Sequence, residues 1–383
     1  MWPHTGKYVP HQDSRDPTFT YYTFTPRPLR EGRLYKMDDE MATLLAHTHQ
    51  KLGFLHGAMK YAPNKQTFSN LMLLKESTFS VRIDYKSPSF GDALHSVGTG
   101  KGNIDAITNV ALAYGDAMNQ CITNQSLDQI CEIALYGVEA EKAIKIRRKQ
   151  TFLQNIKTNL LTYSPTAPDE LLPALGDIYS YLSESSDDVI VKAAMTHYQF
   201  EMLHPYEIGN GIMGRILVPM ILREILGEAV SILCLSEFWY YNKNEYFDLL
   251  RSTQYSGGYE RWIKHFVRAI GEVAEHSAKL FEEYEIIIAR DEDRLRTAIS
   301  STKSVRLVYN YLKRFPVVNI ATMEKEINLS FNSIAKALNI LQKVQIIQQE
   351  GCNGRNRIWK YEAMNHLLTA HPSIKQGIAL QSK

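Results

Sequence analysis

A glycine-rich turn leads directly into an apolar helical stretch near the middle of this 383-residue chain. The turn lies within His204–Arg215, which has the sequence His-Pro-Tyr-Glu-Ile-Gly-Asn-Gly-Ile-Met-Gly-Arg, and the apolar run Ile216–Leu226 predicts a buried helix after it. Backbone N–H groups at such a helix start, with the helix dipole behind them, favour a phosphate group. His204 is then a candidate proton acceptor, with a purely structural, hydrogen-bonding histidine as the alternative on spacing alone.

The residues around this turn resemble the Fic family. Its signature has His-Pro-Phe, any residue, Asp or Glu, Gly-Asn-Gly-Arg, two residues and Arg, and Ile190–Leu222 is similar to its core helix pair. Leu235–Leu250 and Trp262–Val267 are also similar to the family, and Leu73–Asp84 resembles the branch that carries its own inhibitory helix. The likeness covers roughly residues 35 to 275.

The resemblance implies an all-α fold, a Fic-type helical bundle with a small β-hairpin flap, followed by a C-terminal winged helix-turn-helix domain. It implies transfer of AMP from ATP, with Mg²⁺, to a hydroxyl of a target protein, with His204 taking the proton. Catalysis of this type depends on positioning and charge stabilisation. The positions that the resemblance assigns to phosphate or nucleotide binding are Gly209, Asn210, Gly211, Gly214, Arg215, Asn242 and Tyr246.

Two departures from the signature indicate impaired catalysis. Ile208 replaces the acidic residue that holds Mg²⁺, and Ile212 replaces the first arginine. An isoleucine supplies no oxygen ligand, and each lost charged contact is worth about 1.5–3 kcal/mol. Two such losses slow transfer by roughly 10²–10⁴-fold. The resulting hypotheses are a weak or inactive nucleotidyltransferase, a different phosphate-containing donor, or nucleotide sensing without catalysis; Glu207 is the nearest replacement carboxylate.

The inhibitory helix is also altered. The resemblance assigns Ser80 and Asp84 to this helix, and in the family a glutamate at the second position pairs with the second signature arginine, here Arg215. Aspartate is shorter and Tyr85 is bulky, so an ordinary helix end with a solvated carboxylate is the alternative.

Composition places the chain among ordinary globular proteins, with 44% hydrophobic and 22% charged residues. No apolar run approaches the about 20 residues that span a bilayer, and Met1–His4 lacks the layout of a signal peptide. The four cysteines lie far apart without a CxxC pair, which indicates free thiols and a cytoplasmic protein. No metal site is predicted from the cysteines.

The sequence predicts five parts along the chain. They are an arm (1–36), a helical region with the inhibitory helix (37–105), the core domain (106–280), a linker helix (281–300) and the winged helix-turn-helix domain (301–383). We expect the arm to be extended, helices to begin at Asp38 and near Thr67, and residues 87–102 to form a loop. A separate charged helix over 282–296 is predicted as the linker.

Residues 151–163, which we call the flap, have hairpin-like spacing. In the Fic family a hairpin here holds the target protein as an added strand, because an exposed edge strand offers unpaired N–H and C=O groups. A plain connecting hairpin is the alternative.

The tail is basic. Residues 301–383 contain twelve Lys and Arg against four Asp and Glu, a net charge of +8, whereas the preceding 300 residues carry −6. Three helices followed by a two-stranded hairpin are typical of a winged helix-turn-helix, which binds DNA or serves in dimerisation or between domains, so a homodimer is also considered. The predicted DNA contacts are Asn332, Ser333, Lys336 and Asn339 on the third helix, and Arg355 and Arg357 on the wing.

Overall fold

The computed structural model describes residues 5–12, 18, 20–137, 145–154, 161–298, 302–350 and 357–370. Helices dominate this part of the chain, as predicted, and the strands form three small sheets. The helices are α1 (Asp39–Lys60), α2 (Lys65–Asp84), α3 (Phe90–Thr99), α4 (Asp105–Ala117), α5 (Asn124–Ala134), α6 (Leu171–Glu184), α7 (Val189–Leu203), α8 (Asn210–Leu226), α9 (Leu235–Tyr241), α10 (Lys243–Ser256), α11 (Tyr259–Thr297), α12 (Lys303–Arg314), α13 (Ile320–Glu326), α14 (Phe331–Lys343) and α15 (Glu362–Thr369). The strands are β1 (Gly6–Gln12), β2 (Thr20–Pro26), β3 (Leu153–Gln154), β4 (Leu161–Tyr163), β5 (Val317–Asn319), β6 (Gln348–Glu350) and β7 (Ile358–Lys360).

The N-terminal arm contains a β-hairpin, which the sequence analysis missed. Strands β1 and β2 pair antiparallel from Gly6 opposite Pro26 to Gln12 opposite Thr20. The β-branched and aromatic residues of β2 suit a pleated strand, and its second half is buried. Phe24 N–H donates to Ser164 O at 2.9 Å, so the hairpin lies against the end of the flap.

Helix α3 occupies most of the segment that was predicted as a loop. Ser89 Oγ accepts from the backbone N–H of Asp92 at 3.2 Å, and Asp92 Oδ2 accepts from the N–H of Ser89 at 3.1 Å. This capping box starts a helix that buries Phe90 and Leu94, while Gly100, in the left-handed region, follows its end. Glycines within the segment therefore mark the end of a helix as well as a loop.

Helix α2 lies in the centre of the bundle and is fixed by buried polar contacts. Lys75 Nζ pairs with Glu237 Oε2 at 2.8 Å, and both side chains are almost fully buried. Glu76 accepts from Tyr114 OH at 2.8 Å and from the Ser236 N–H at 2.9 Å. Buried charges need such partners, so these contacts connect α2 to α4 and α9 in one arrangement.

The helix pair α7 and α8 forms the core around the glycine-rich turn. Gly214 allows the close approach, because a Cβ there would lie 2.5 Å from Glu201 Oε1 and 3.3 Å from the His197 ring. The Gly214 carbonyl accepts His197 Nδ1–H at 2.8 Å. Trp262 of α11 binds α7 through a hydrogen bond from Nε1 to Ala194 O at 2.8 Å.

The predicted linker is the C-terminal part of α11, which runs unbroken for 39 residues from Tyr259 to Thr297. Its apolar face continues across the expected boundary, so no separate linker helix begins at 282. Asp291, fully buried on this helix, accepts from Tyr361 OH at 2.6 Å. Arg294 Nη1 donates to Gln345 O at 3.0 Å. The end of α11 is thereby joined to the C-terminal elements.

The C-terminal elements follow in the order α12, β5, α13, α14, β6, β7 and α15, with a sheet ordered β5-β7-β6. The sequence predicted the three helices and two strands but not β5 or α15. Asn319 Nδ2 donates to Thr99 O at 2.8 Å, which connects β5 to the end of α3. Within the described ranges no helix is both long and apolar enough to cross a membrane.

Candidate functional site

His204 lies at the C-terminal end of α7 with its lone pair directed by a hydrogen bond. Its backbone is in the left-handed region, with φ 46° and ψ 62°. Because a carbonyl can only accept, the contact of Nδ1 with Glu201 O at 2.6 Å places the proton on Nδ1. Nε2 then carries the lone pair and has no partner among the described residues. Burial lowers the pKa of His204, so the imidazole is neutral and able to accept a proton.

The turn between α7 and α8 presents open backbone N–H groups. Gly209, with φ 77°, precedes α8, and a Cβ there would lie 2.6 Å from Leu135 Cδ1. No side chain caps this helix start, and no described residue accepts from the N–H groups of Asn210, Gly211 or Ile212. The turn therefore has the geometry that suits an anion.

The side chain of Asn210 closes the turn rather than extending from it. Its Oδ1 accepts from Tyr206 N–H and its Nδ2 donates to Tyr206 O, both at 2.8 Å. Asn210 is buried. The resemblance places Asn210 among the phosphate-binding positions, and in the structure its side chain holds the loop in shape.

Ser80, Asp84 and Arg215 form a contact that we call the latch. Arg215 Nη2 lies 2.6 Å from Asp84 Oδ2, and its Nε and Nη2 donate to Ser80 Oγ and Ser80 O at 2.9 Å. Arg215 is 1% exposed. Burial opposes its charge, but Asp84, together with Tyr246 and Glu201, more than compensates, so the pKa of Arg215 is raised. The pairing that the sequence left in doubt is formed.

The latch reaches the start of α8. A Cβ on Gly211 would lie 2.8 Å from Asp84 Oδ2 and 2.9 Å from Arg215 Nη1. The carboxylate thus lies against the first turn of the helix, where negative charge is stabilised by the helix dipole. Asp84 occupies part of the space that an anion at this turn would need.

Glu201 is a second carboxyl group near Arg215. It is buried, and its Oε1 has no hydrogen-bond partner among the described residues. Burial raises the pKa of Glu201 to about 7, against the opposing influence of Arg215 and with a further increase from Asp84. Its neighbour His197 is neutral, because burial lowers the pKa of His197 to about 3.

The two isoleucines of the altered signature offer no polar group. Ile212 is 2% exposed and lines a cavity of about 330 Å³ with Val81, Tyr85 and Leu135. Ile208 is half-buried against the core. Glu207 is exposed, and the described parts of the chain contain no group of three or more His, Cys, Asp or Glu side chains placed to hold a metal ion. These residues do not fit a Mg²⁺ ion.

Three residues expected at the nucleotide have other contacts. Tyr246 is 1% exposed, and its hydroxyl donates to His197 Nε2 at 2.7 Å, so its side chain lies in the core. Gly214 packs against α7, as described above. Asn242 Nδ2 donates to Phe238 O at 2.9 Å and thereby caps the end of α9.

The flap is described only at its base. Leu153 pairs with Tyr163 and Gln154 with Leu161, which gives the antiparallel hairpin that was predicted; residues 155–160 lie outside the described residues. Tyr163 OH donates to Met202 O at 2.6 Å, which connects the flap to α7.

Arg147 is a residue that the sequence analysis missed. It is 2% exposed, and its Nε donates to His204 O at 2.7 Å. It belongs to the basic run Lys145–Lys149, which has the pattern of a solvated surface, and no signal in the sequence separates it from Arg148.

The predicted DNA-contacting residues are accessible where they are described. On α14 the side chains of Ile334, Leu338 and Leu341 are buried, whereas the opposite face is open. Asn332, Lys336, Asn339 and, just before β7, Arg357 are exposed, and Ser333 is half-buried. Arg355 lies outside the described residues.

Cys121, Cys131 and Cys234 are free thiols.

Comparison with known proteins gives a consistent result. The sequence model of the Fic/DOC family matches residues 122–222. Protein adenylyltransferase fic-1 of Caenorhabditis briggsae is 31% identical over 103 residues, which are 25% of this chain and 19% of that protein. Protein adenylyltransferase fic-1 of Caenorhabditis elegans is 29% identical over 103 residues with the same shares. The chain thus spans about a fifth of the length of the curated relatives it matches.

A solved structure agrees over a longer stretch. The crystal structure of a Fic family protein from Desulfovibrio desulfuricans G20 has a TM-score of 0.54 at 15% identity, covering 85% of this chain and 97% of that chain. At this identity the agreement shows a shared fold.

Proposed function

We propose that this chain, whose residues 122–222 match the sequence model of the Fic/DOC family, is a Fic-type adenylyltransferase impaired in transferring AMP from ATP to a hydroxyl of a target protein. The observation that carries the proposal is the neutral imidazole of His204, with Nδ1–H bound to Glu201 O, at one end of a turn with open N–H groups at its other end. A proton acceptor and an anion-binding turn are the two parts that phosphoryl chemistry needs.

In the proposed reaction, His204 Nε2 takes the proton from the target hydroxyl as that oxygen attacks the α-phosphorus. The backbone N–H groups of Gly209, Asn210 and Gly211 hold phosphate oxygens, and pyrophosphate leaves. Arg215 neutralises charge on the outer phosphates once Asp84 has released it. The target enters as a strand on the flap.

Two features support impairment. Ile208 offers no ligand to Mg²⁺, and Ile212 lies in an apolar cavity, so no charge compensates the outer phosphates at that position. The latch in addition holds the remaining arginine, Arg215, on Asp84 at 2.6 Å. Both effects reduce the stabilisation of negative charge in the transition state.

The test restores the missing groups in the full chain. Ile208→Asp with Ile212→Arg is combined with Asp84→Ala, and labelled ATP is supplied with Mg²⁺ or Mn²⁺ together with lysate proteins. We expect labelling of the chain itself or of a lysate protein to rise by roughly 10²–10⁴-fold over the unaltered protein. Adding His204→Ala should abolish it. Label that persists without His204, or no label while ATP still binds, would refute the proposal.

A second candidate function is a nucleotide-sensing, DNA-binding regulator. It is favoured by the exposed polar face of α14, with Asn332, Lys336 and Asn339, on a tail of net charge +8. If α14 enters a groove, DNA affinity should fall steeply with salt, and Lys336→Ala should reduce the dependence on salt by about one phosphate contact. No retardation of any DNA at low salt would exclude this function.

A further inference from the structure

The guanidinium of Arg147 binds backbone carbonyls on three sides. Nε donates to His204 O at 2.7 Å, Nη2 to Leu203 O at 3.2 Å and to Thr166 O, and Nη1 to Lys149 O at 3.1 Å. The backbone N–H of Arg147 donates to Pro205 O at 2.8 Å. One residue therefore holds three consecutive carbonyls around the candidate proton acceptor.

These contacts explain how His204 keeps its backbone conformation. A residue with a side chain rarely has φ near 46°, and such a conformation persists only where the surroundings impose it. The carbonyls of Leu203 and His204 end α7 and would otherwise have no donor. Arg147 supplies these donors from a planar group, which a lysine could not reproduce at four acceptors.

The same side chain connects the two ends of the flap. Lys149 O precedes the hairpin and Thr166 O follows it, so Arg147 bridges both ends at the base. Gln150 supports the base separately, since its Nε2 donates to Thr151 O and to Pro165 O, both at 2.9 Å.

We propose that Arg147 is a positioning residue that fixes the imidazole of His204 relative to the base of the flap. A strand added to the flap and the proton acceptor then share one rigid frame, so that a target hydroxyl is presented to Nε2 by geometry alone. The inference rests on the proposed role of His204, but its test measures the imidazole directly and requires no transfer activity.

The positive charge of Arg147 affects the pKa of His204, and this pKa is the quantity that the test measures. Arg147 has no carboxylate within ion-pair distance among the described residues, so its positive charge is compensated only by carbonyl dipoles. The groups that face His204 are this cation, the Asp84 carboxylate, the Tyr163 ring and the backbone carbonyl of Glu201. Burial contributes most to the lowered pKa of His204, and Arg147 lowers it further, whereas the hydrogen bond to Glu201 O and the Asp84 carboxylate raise it.

The experiment follows the Cε1–H signal of His204 by NMR during a pH titration of the full chain. Arg147→Ala should raise the pKa of His204 by about one pH unit, because a neighbouring cation is lost. Millimolar guanidinium chloride should restore the original value in this variant and change nothing in the unaltered protein. Gln150→Ala, which weakens the flap base without removing a charge, should leave the pKa of His204 unchanged.

Arg147→Lys keeps the positive charge but loses the planar set of donors. It also provides the test if the alanine variant does not fold. It should keep the pKa of His204 but increase amide hydrogen exchange together in residues 161–166 and 203–206. A pKa that does not respond to Arg147→Ala or to guanidinium overturns the proposal, as does unchanged exchange in Arg147→Lys. Failure of ATP labelling would refute the proposed reaction without affecting these measurements.

Discussion

Arg215 Nη2 and Asp84 Oδ2 lie 2.6 Å apart, although an aspartate side chain is one methylene shorter than a glutamate. The end of α2 comes close enough because Ser80 binds the same guanidinium through Oγ and O. Gly211 leaves room for the carboxylate, since a Cβ there would lie only 2.8 Å away. A short acidic side chain reaches Arg215 here because the end of α2 lies against the start of α8.

We predict that Asp84→Ala strengthens ATP binding and weakens the fold. Loss of the carboxylate opens the start of α8 and frees Arg215 for phosphate, which should raise ATP affinity by about tenfold, or about 1.4 kcal/mol. The buried guanidinium loses its charged partner, so the free energy of unfolding should fall by about 1–3 kcal/mol. Calorimetric titration with ATP and urea unfolding measure the two effects.

Asp248→Ala is the matched control for this change. Asp248 is well exposed on α10 and its contact with Arg251 is long, at 3.8 Å, so neither ATP affinity nor stability should change. If Asp84→Ala lowered the stability as expected but left the ATP affinity unchanged, the latch would only support the fold.

We predict that Glu201 makes the protein less stable as pH rises from 4.5 to 7. Its carboxyl group ionises near pH 4.5 in the unfolded chain but near pH 7 in the folded protein. Between these values only the unfolded state loses the proton, so the free energy of unfolding falls by about 3 kcal/mol and then levels off. Glu201→Gln keeps the shape and removes the ionisation.

The measurement compares urea unfolding of both proteins at pH 4.5 and pH 8. Between pH 4.5 and pH 8 the unaltered protein should lose about 3 kcal/mol more free energy of unfolding than Glu201→Gln does. Glu207→Gln, on the same segment but exposed, should show no such shift. Parallel pH dependence of the unaltered protein and Glu201→Gln would show that this carboxyl group does not carry the effect.

The turn and the helix start within residues 204–215 were predictable from the sequence because local chemistry determines them. A histidine at a helix end and glycines before an apolar run specify a turn with open N–H groups whatever surrounds it. The hairpin of the arm and helix α3 were missed for a different reason. Their signals, the alternating aromatic and threonine residues of Thr20–Pro26 and the Ser89–Asp92 capping box, are short and compete with nearby proline or glycine.

Long-range contacts decided the remaining differences. Tyr246 looks like a surface aromatic in a polar helix, yet packing of α10 against α11 buries it on His197. Arg147 and Asp84 bind partners that lie 57 and 131 positions away in the sequence. Local sequence patterns do not indicate which residues meet over such separations. The resemblance to the family indicated which residues form the latch. Whether Asp84 reaches Arg215 depends on the position of α2, which the buried contacts of Lys75 and Glu76 fix.

We predict that Gly98→Ala separates the C-terminal elements from α3. A Cβ at this position would lie 1.6 Å from Val317 O and 2.8 Å from Val317 C, and a backbone cannot turn aside as a side chain can. Strand β5 must move, which also strains the bond from Asn319 to Thr99 O. The free energy of unfolding should fall by about 1–3 kcal/mol.

The control lies on the same helix. A Cβ on Gly91 has Ser89 Oγ as its nearest neighbour, at 3.9 Å, so Gly91→Ala should gain about 0.5 kcal/mol from the better helix former. Urea unfolding gives both values, and limited proteolysis should cut the region near residue 300 faster in Gly98→Ala alone. Equal stability and equal cleavage of the two variants would mean that α3 and β5 are not packed together in solution, because only a close backbone contact distinguishes the two glycines.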